Sequence, residues 1–148
     1  MAMENVVPVA DIEAVKREWL ERLDALVADV QTWAGASGWR TRRIQKTVEE
    51  RELGRYKVPV LLMEKDAVEV VLNPVARFVP GADGAVDLYL SPAYDDIASL
   101  YHESGRWVVH YSEPPADPEA IRGFVEVSPQ PYTETTIRTI LDGMAVHD

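Results

Sequence analysis

The stretch VDLYLSPAYDDIASLYHESGRWVVHYSE, which runs from Val86 to Glu113, decides the fold. Near its start Val86, Leu88 and Leu90 alternate with polar residues, as in a strand with one buried face. Further along, a pair of segments rich in apolar and aromatic residues flanks Ser104–Gly105, a dipeptide typical of a tight hairpin turn. Neighbouring strands joined so closely argue against a parallel βαβ arrangement, which needs long connections.

Further strands are predicted upstream of this stretch. Tyr56 to Glu64 reads as a strand, and Val68 to Leu72 as the next one. Asn73–Pro74 predicts a bend or bulge, because proline donates no ladder hydrogen bond. The segment Trp39 to Arg51 has the charge pattern of either a surface helix or an exposed edge strand. We favour the strand, which forms a long hairpin through a turn at Glu52 to Arg55.

A long helix is predicted ahead of the strands, from Asp11 as N-cap to Ala34. Apolar residues recur there every three or four positions, the helical period: Ile12, Val15, Trp19, Leu23, Leu26, Val30 and Trp33. At 1.5 Å per residue this helix is about 36 Å long, enough to cross one face of a sheet. Residues 1–10 read as a flexible tail.

The C-terminal region is predicted to hold one or two short helices. Glu113 to Pro118 is a proline-rich connector, and Asp117–Pro118–Glu119 resembles a helix start. Thr133 or Thr135 can cap a final helix. The predicted fold is therefore α+β: a single domain with an antiparallel meander sheet of about five to seven strands, the long N-terminal helix packed across one of its faces.

Composition and charge exclude several classes of function. The chain of 148 residues has no cysteine, so disulfides and thiolate metal sites are excluded. The net charge is −10, and all of it lies in residues 61–148, with five basic and fifteen acidic side chains. Phosphate-rich partners are disfavoured by this charge, so we predict binding neither to nucleic acid nor to a membrane surface. A basic protein would be attracted. The N-terminal residues show no secretion signal, so we expect a cytoplasmic protein.

The register of the hairpin decides whether its two histidines lie on the same face of the sheet. A two-residue turn at Ser104–Gly105 places His102 opposite Trp107 and His110 opposite Ser99, so the histidines point to opposite faces. A three-residue turn would place them on one face. We favour the former and predict no metal site and no cofactor.

Two groups of residues are candidates for binding. A ligand pocket between the long helix and the sheet would be lined by aromatic and polar residues of the hairpin region: Tyr89, Asp95, Tyr101, His102 and Trp107. On a strand, Arg40, Arg42 and Lys46 point one way and could contact an anion or an acidic partner, although Glu49 and Glu50 follow and weaken the field.

The sequence carries no recognised catalytic motif. We therefore expect a non-catalytic protein-interaction module, such as an adaptor, a chaperone or an immunity-like protein, with a basic partner. The alternative is a small-ligand-binding protein or modest hydrolase that uses the pocket. The chain is expected to be a monomer or a homodimer.

Overall fold

The computed structural model describes residues 9–92, 95–113 and 125–146. It confirms the predicted α+β architecture: a long N-terminal helix, a seven-stranded antiparallel sheet and a short C-terminal helix. The proline-rich connector after Glu113 and the short helix expected from Asp117 fall outside the described residues, and so do residues 1–8 of the tail predicted over 1–10. The prediction is wrong for Val9 and Ala10, which belong to the first helix.

Helix α1 spans Val9–Ala36, two residues earlier and two later than predicted. Asp11 lies inside its first turn, where a carboxylate interacts favourably with the N-terminal end of the helix dipole, and not at the cap. Gly38, with φ of +90°, reverses the chain after the helix. The N–H of Trp39 then donates to Ala34 O at 3.0 Å, the six-to-one bond that satisfies a free carbonyl at a helix end.

The main sheet has seven strands in the order β1-β2-β3-β4-β5-β6-β9. The strands are β1 (Arg40–Glu50), β2 (Gly54–Lys65), β3 (Val68–Ala76), β4 (Ala85–Ser91), β5 (Asp95–Glu103), β6 (Arg106–His110) and β9 (Gln130–Pro131). Two further short strands, β7 (Ser112–Glu113) and β8 (Val125–Glu126), pair with each other. The predicted long hairpin is confirmed, because β1 and β2 pair without interruption from Arg40↔Glu64 to Glu50↔Gly54.

Tight turns set the register of the hairpins. Ser104 and Gly105 have φ values of +52° and +79°, so the β5–β6 turn has two residues. His102 therefore pairs with Trp107 and Ser99 with His110, as the two-residue turn predicts. The bulge expected at Asn73–Pro74 lies between Pro74 and Ala76, where β3 ends.

The two helices pack on the same side of the sheet, which we call the helix-facing side. Trp19, Leu23 and Val30 of α1 are fully buried against the strand residues Leu72, Leu88 and Leu100, among others. Helix α2 spans Glu134–Ala145, contacts α1 and β3, and is capped by Thr133, whose hydroxyl accepts the N–H of Thr136 at 3.1 Å. Neither helix is long and apolar enough to cross a membrane, among the residues described.

The opposite side of the sheet, the open face, carries no helix in the described part of the chain. It is defined by these residues: Arg42, Ile44, Lys46, Val60, Leu62, Val71, Asn73, Asp87, Tyr89, Ile97, Ser99, Tyr101 and His110. Directly paired residues of antiparallel strands project to the same side, so the register fixes this set.

Candidate functional site

A polar row crosses the open face from strand to strand. Asn73, Asp87, Ser99 and His110 are direct neighbours on β3, β4, β5 and β6. Lys46 reaches in from the edge strand and donates from Nζ to Asn73 Oδ1 at 2.6 Å. The row therefore places one ammonium, one carboxylate, one hydroxyl and one imidazole on a single line across the sheet.

The members of this row are bound mainly to each other. Ser99 Oγ donates to Asp87 Oδ1 at 3.3 Å, and the rings of Tyr101 and His110 meet edge to face with centroids 5.3 Å apart. Burial lowers the pKa of Lys46, and the carboxylate of Asp87 partly opposes that shift. No group of three or more potential metal ligands occurs among the residues that the structure describes.

A shallow depression opens beside the end of the row. It has a volume of about 280 Å³ and is lined by Ile97, Ser99, Tyr101, His110, Tyr111 and Ser112. A second depression, of about 370 Å³, lies near the β1 edge of the sheet, where Arg42 and Leu62 meet Glu64 and Glu69. Both are open to solvent, so they suit surface contact better than enclosure of a small molecule.

Exposed apolar side chains accompany the polar row. Ile44 on β1 is 36% exposed and Ile97 on β5 is 39% exposed, and both project from the open face. Val75, in the bulge of β3, is 44% exposed. With strands about 4.8 Å apart, these three residues extend over about 20 Å across the sheet. The open face thus combines exposed apolar groups with polar groups that are already ordered.

The five residues predicted to line one pocket lie on two sides of the sheet. Tyr89 and Tyr101 project from the open face, whereas His102 and Trp107 project to the helix-facing side. The side chain of Asp95 lies outside the described residues. Consecutive residues of a strand point in opposite directions, so Tyr101 and His102 cannot line the same cavity. The structure does not bring the five together.

His102 is part of the core. It is only 8% exposed, and its ring meets the Trp107 ring edge to face at 5.2 Å. Burial lowers its pKa, and the positive charges of Arg22 and Arg77 lower it further against the opposing effect of Asp83. Its Nδ1 has no hydrogen-bond partner among the described residues. Burial and the ring contact with Trp107 make the histidine a packing residue of the core.

The three basic residues predicted to act together share the open side of β1 but do not converge. Arg40 forms an ion pair with Glu64, and Lys46 is bound to Asn73. Arg40 and Lys46 are six residues apart, which is about 20 Å along a strand. Arg42 makes no hydrogen bond or ion pair within the described chain. Of the three basic side chains, it is therefore the one that remains available to contact an anion or an acidic partner.

Sequence reasoning missed most of the polar row. It identified the pairing of Ser99 with His110 from the turn at Ser104–Gly105. Asn73 and Asp87 could not be added, because the bulge at Pro74 and a loop separate their strands and hide the register.

Comparison with known proteins gives no relative: no family model, no curated protein and no solved structure matches the chain.

Proposed function

We propose that this chain is a non-catalytic protein-interaction module of the cytoplasm, of the adaptor, chaperone or immunity-like kind, and that it binds a basic protein on its open face. The observation that carries the proposal is the side of the sheet opposite the helices. There, Ile44 and Ile97 are exposed beside polar groups held in fixed positions. Exposed apolar groups ringed by polar ones are typical of protein contact surfaces.

The charge of the chain supports a basic partner. The open face and the charged residues that flank it on the same side of the sheet are balanced: four basic side chains (Arg40, Arg42, Lys46 and Arg106) accompany four acidic ones (Glu64, Glu69, Asp87 and Glu103). The net charge of the whole chain is −10, so the excess of acidic side chains belongs to residues other than these eight. Such a field attracts a basic protein over distances of about 8–10 Å at physiological salt, while the apolar groups supply the contact.

The hydrogen bonding of the polar row supports a non-catalytic role. Ser99 donates to Asp87 at 3.3 Å and makes no hydrogen bond to His110 among the described residues, so the serine–histidine pair of an activated nucleophile is not formed. His110 packs its ring against Tyr101. Lys46 is held by Asn73. Each of these groups serves to order the surface.

The test compares surface variants in a capture experiment with quantitative mass spectrometry. Ile44→Glu and Ile97→Glu each place a charge on the open face, and Ala25→Glu, on the exposed side of α1, is the matched control. We expect proteins of high isoelectric point to bind the wild type and the control, to be lost from both open-face variants, and to be released by 0.5 M salt. Recovery of the same proteins by all four chains, or binding indifferent to salt, contradicts the proposal.

A second candidate function is binding of a small ligand in the depression beside His110. The depression of about 280 Å³ favours it, whereas the space between α1 and the sheet is filled by side chains such as Trp19 and Leu88. A metabolite that binds there should raise the melting temperature of the wild type but not that of Tyr101→Ala. If no compound of a broad metabolite library shifts the melting temperature, this candidate fails.

A further inference from the structure

Strand β1 forms a long edge of the sheet. It has eleven residues, contains neither proline nor glycine, and pairs with β2 without a bulge. Its outer side has no partner strand within the described residues. Half of its backbone N–H and C=O groups therefore face outward, and such edges readily pair with another strand. Charged side chains are the one common protective device that β1 carries.

The order of those charges makes β1 complementary to a second, antiparallel copy of itself. The beginning of β1 is basic, with Arg40, Arg42, Arg43 and Lys46, and its end is acidic, with Glu49 and Glu50. A second copy of the same strand that runs antiparallel places its acidic end beside the basic segment of the first. A parallel arrangement would place like charges together. The strand is thus repelled by itself in one orientation and attracted in the other.

From this we infer that two copies of the chain form a symmetric dimer through antiparallel pairing of their β1 strands. Every second residue of a strand points its backbone N–H and C=O outward, and regular antiparallel pairing joins such residues of the two copies. The two residue numbers of a pair are therefore both even or both odd, and their sum is even. Pairs whose residue numbers add up to 92 bring the opposite charges of the two strands together best. It places Arg43 opposite Glu49, Ile44 opposite Val48, and Lys46 opposite its own copy on the two-fold axis.

The internal contacts of β1 fit this register. Each Lys46 directs its ammonium back across β2 to Asn73, away from the axis where two ammonium groups would otherwise meet. Glu50 is held within its own chain by Tyr56, whereas Glu49 is exposed and lies 4.0 Å from Arg55, a loose ion pair. Arg43 pairs with Asp24 at an exposed site. Arg43 and Glu49 are therefore the pair that an added strand can bring together.

The pairing also covers apolar surface. Ile44, 36% exposed in the single chain, would lie opposite Val48 of the second copy, which is partly buried against the core of its own chain. Because paired residues share a side of the sheet, the two open faces continue into each other and both long helices lie on the other side. Dimer formation thus joins the two surfaces proposed for partner binding, covers Ile44 at the junction and leaves Ile97 exposed.

A charge-swap experiment tests the inference by sedimentation equilibrium. Positions 43 and 49 face each other at two symmetry-related sites of the dimer. Glu49→Arg places two arginines at each site, and Arg43→Glu places two glutamates at each site. Each variant alone should dimerise at least about ten-fold more weakly than the wild type, because two attractive pairs become repulsive. An equimolar mixture of the two variants restores opposite charges at both sites and should dimerise nearly as tightly as the wild type.

The controls separate charge from folding. Glu21→Arg makes the same change of charge at an exposed site on α1 instead of β1 and should leave the dimer constant unchanged. Melting temperatures show whether Arg43→Glu, which also removes the contact with Asp24, still folds. A wild type that remains monomeric at several hundred micromolar overturns the inference. So does a dimer that ignores both substitutions, or a mixture that fails to reassociate.

Discussion

Trp19 Nε1 donates a hydrogen bond of 3.1 Å to the hydroxyl of Tyr56 and so joins α1 to β2 across 37 positions of sequence. The Tyr56 hydroxyl donates in turn to Glu50, whose carboxylate accepts the backbone N–H groups of Arg77 and Phe78 at 3.0–3.1 Å. Burial, reinforced by the hydrogen bond to Glu50, raises the pKa of Tyr56 and keeps it a neutral donor. One phenol thus connects the helix, the long hairpin and the segment after β3.

Removal of this hydroxyl should destabilise the fold. Tyr56→Phe leaves the indole N–H of Trp19 without its acceptor in a buried site, which costs about 1–3 kcal/mol. Urea denaturation measures the loss. Tyr132→Phe is the matched control, since its hydroxyl donates to the exposed Asp29 at 3.1 Å and its removal should cost about 0.5–1 kcal/mol. Equal losses for the two variants would show that Tyr56 does not link the three elements.

The backbone at Gly84 lies so close to the Trp19 ring that a side chain at this position would clash. A Cβ atom at this position would lie 2.4 Å from Cζ3 of Trp19, whose side chain is fully buried. Gly84→Ala should therefore cost about 1–3 kcal/mol from overpacking alone. Gly81→Ala is the control: its φ is +79°, but nothing lies within 4 Å of the added atom, so it meets only backbone strain of about 1–2 kcal/mol. In urea denaturation, a Gly84 variant no less stable than the Gly81 variant would contradict the packing seen at Trp19.

The sequence predicts those features of the fold that depend on local chemistry. Ser104–Gly105 specifies a two-residue turn, and from it the partners of His102 and His110 follow. The apolar period of α1 identifies Trp19 and Leu23 as core residues. Turn residues and side-chain periodicity act over a few positions, so a single sequence is enough to interpret them.

The candidate site depends on contacts that are distant in sequence. Lys46 meets Asn73 only because two hairpins place β1 and β3 on either side of β2. The bulge at Pro74 changes the alternation that would be extrapolated along β3. The predicted pocket combined Tyr101 and His102, although a strand sends adjacent side chains to opposite sides.

The pH dependence of stability should report on His102. Its pKa is lowered in the folded chain, chiefly by burial, so below the ordinary value of 6.5 the unfolded chain takes up a proton that the folded chain resists. The unfolded state then binds more protons, and stability falls as the pH drops below about 6.5. The slope for one proton is at most about 1.4 kcal/mol per pH unit.

Urea denaturation between pH 7.5 and pH 5 measures this effect. We expect His102→Gln to be less stable at pH 7.5 but to lose less stability on acidification than the wild type. Thr136→Val, which changes another buried polar residue but no group that takes up a proton in this range, is the control and should retain the wild-type slope. A slope unchanged by the His102 substitution would mean that this imidazole takes up its proton as readily in the folded chain as in the unfolded chain.

The register inferred for the dimer predicts a specific cross-link. The chain contains no cysteine, so a single introduced thiol can pair only with its copy. Lys46→Cys places two thiols opposite each other on the two-fold axis, with Cα atoms about 4.5–5.5 Å apart, within the range that a disulfide spans. Thr47→Cys is the control, because the two copies of position 47 would be displaced along the strands to about 8 Å, beyond that range. Mild oxidation followed by non-reducing electrophoresis should give a covalent dimer for Lys46→Cys and a monomer for Thr47→Cys. A faster cross-link at position 47 would move the axis by one residue and place Lys46 opposite Val48, which the charge pairing of Arg43 with Glu49 does not allow.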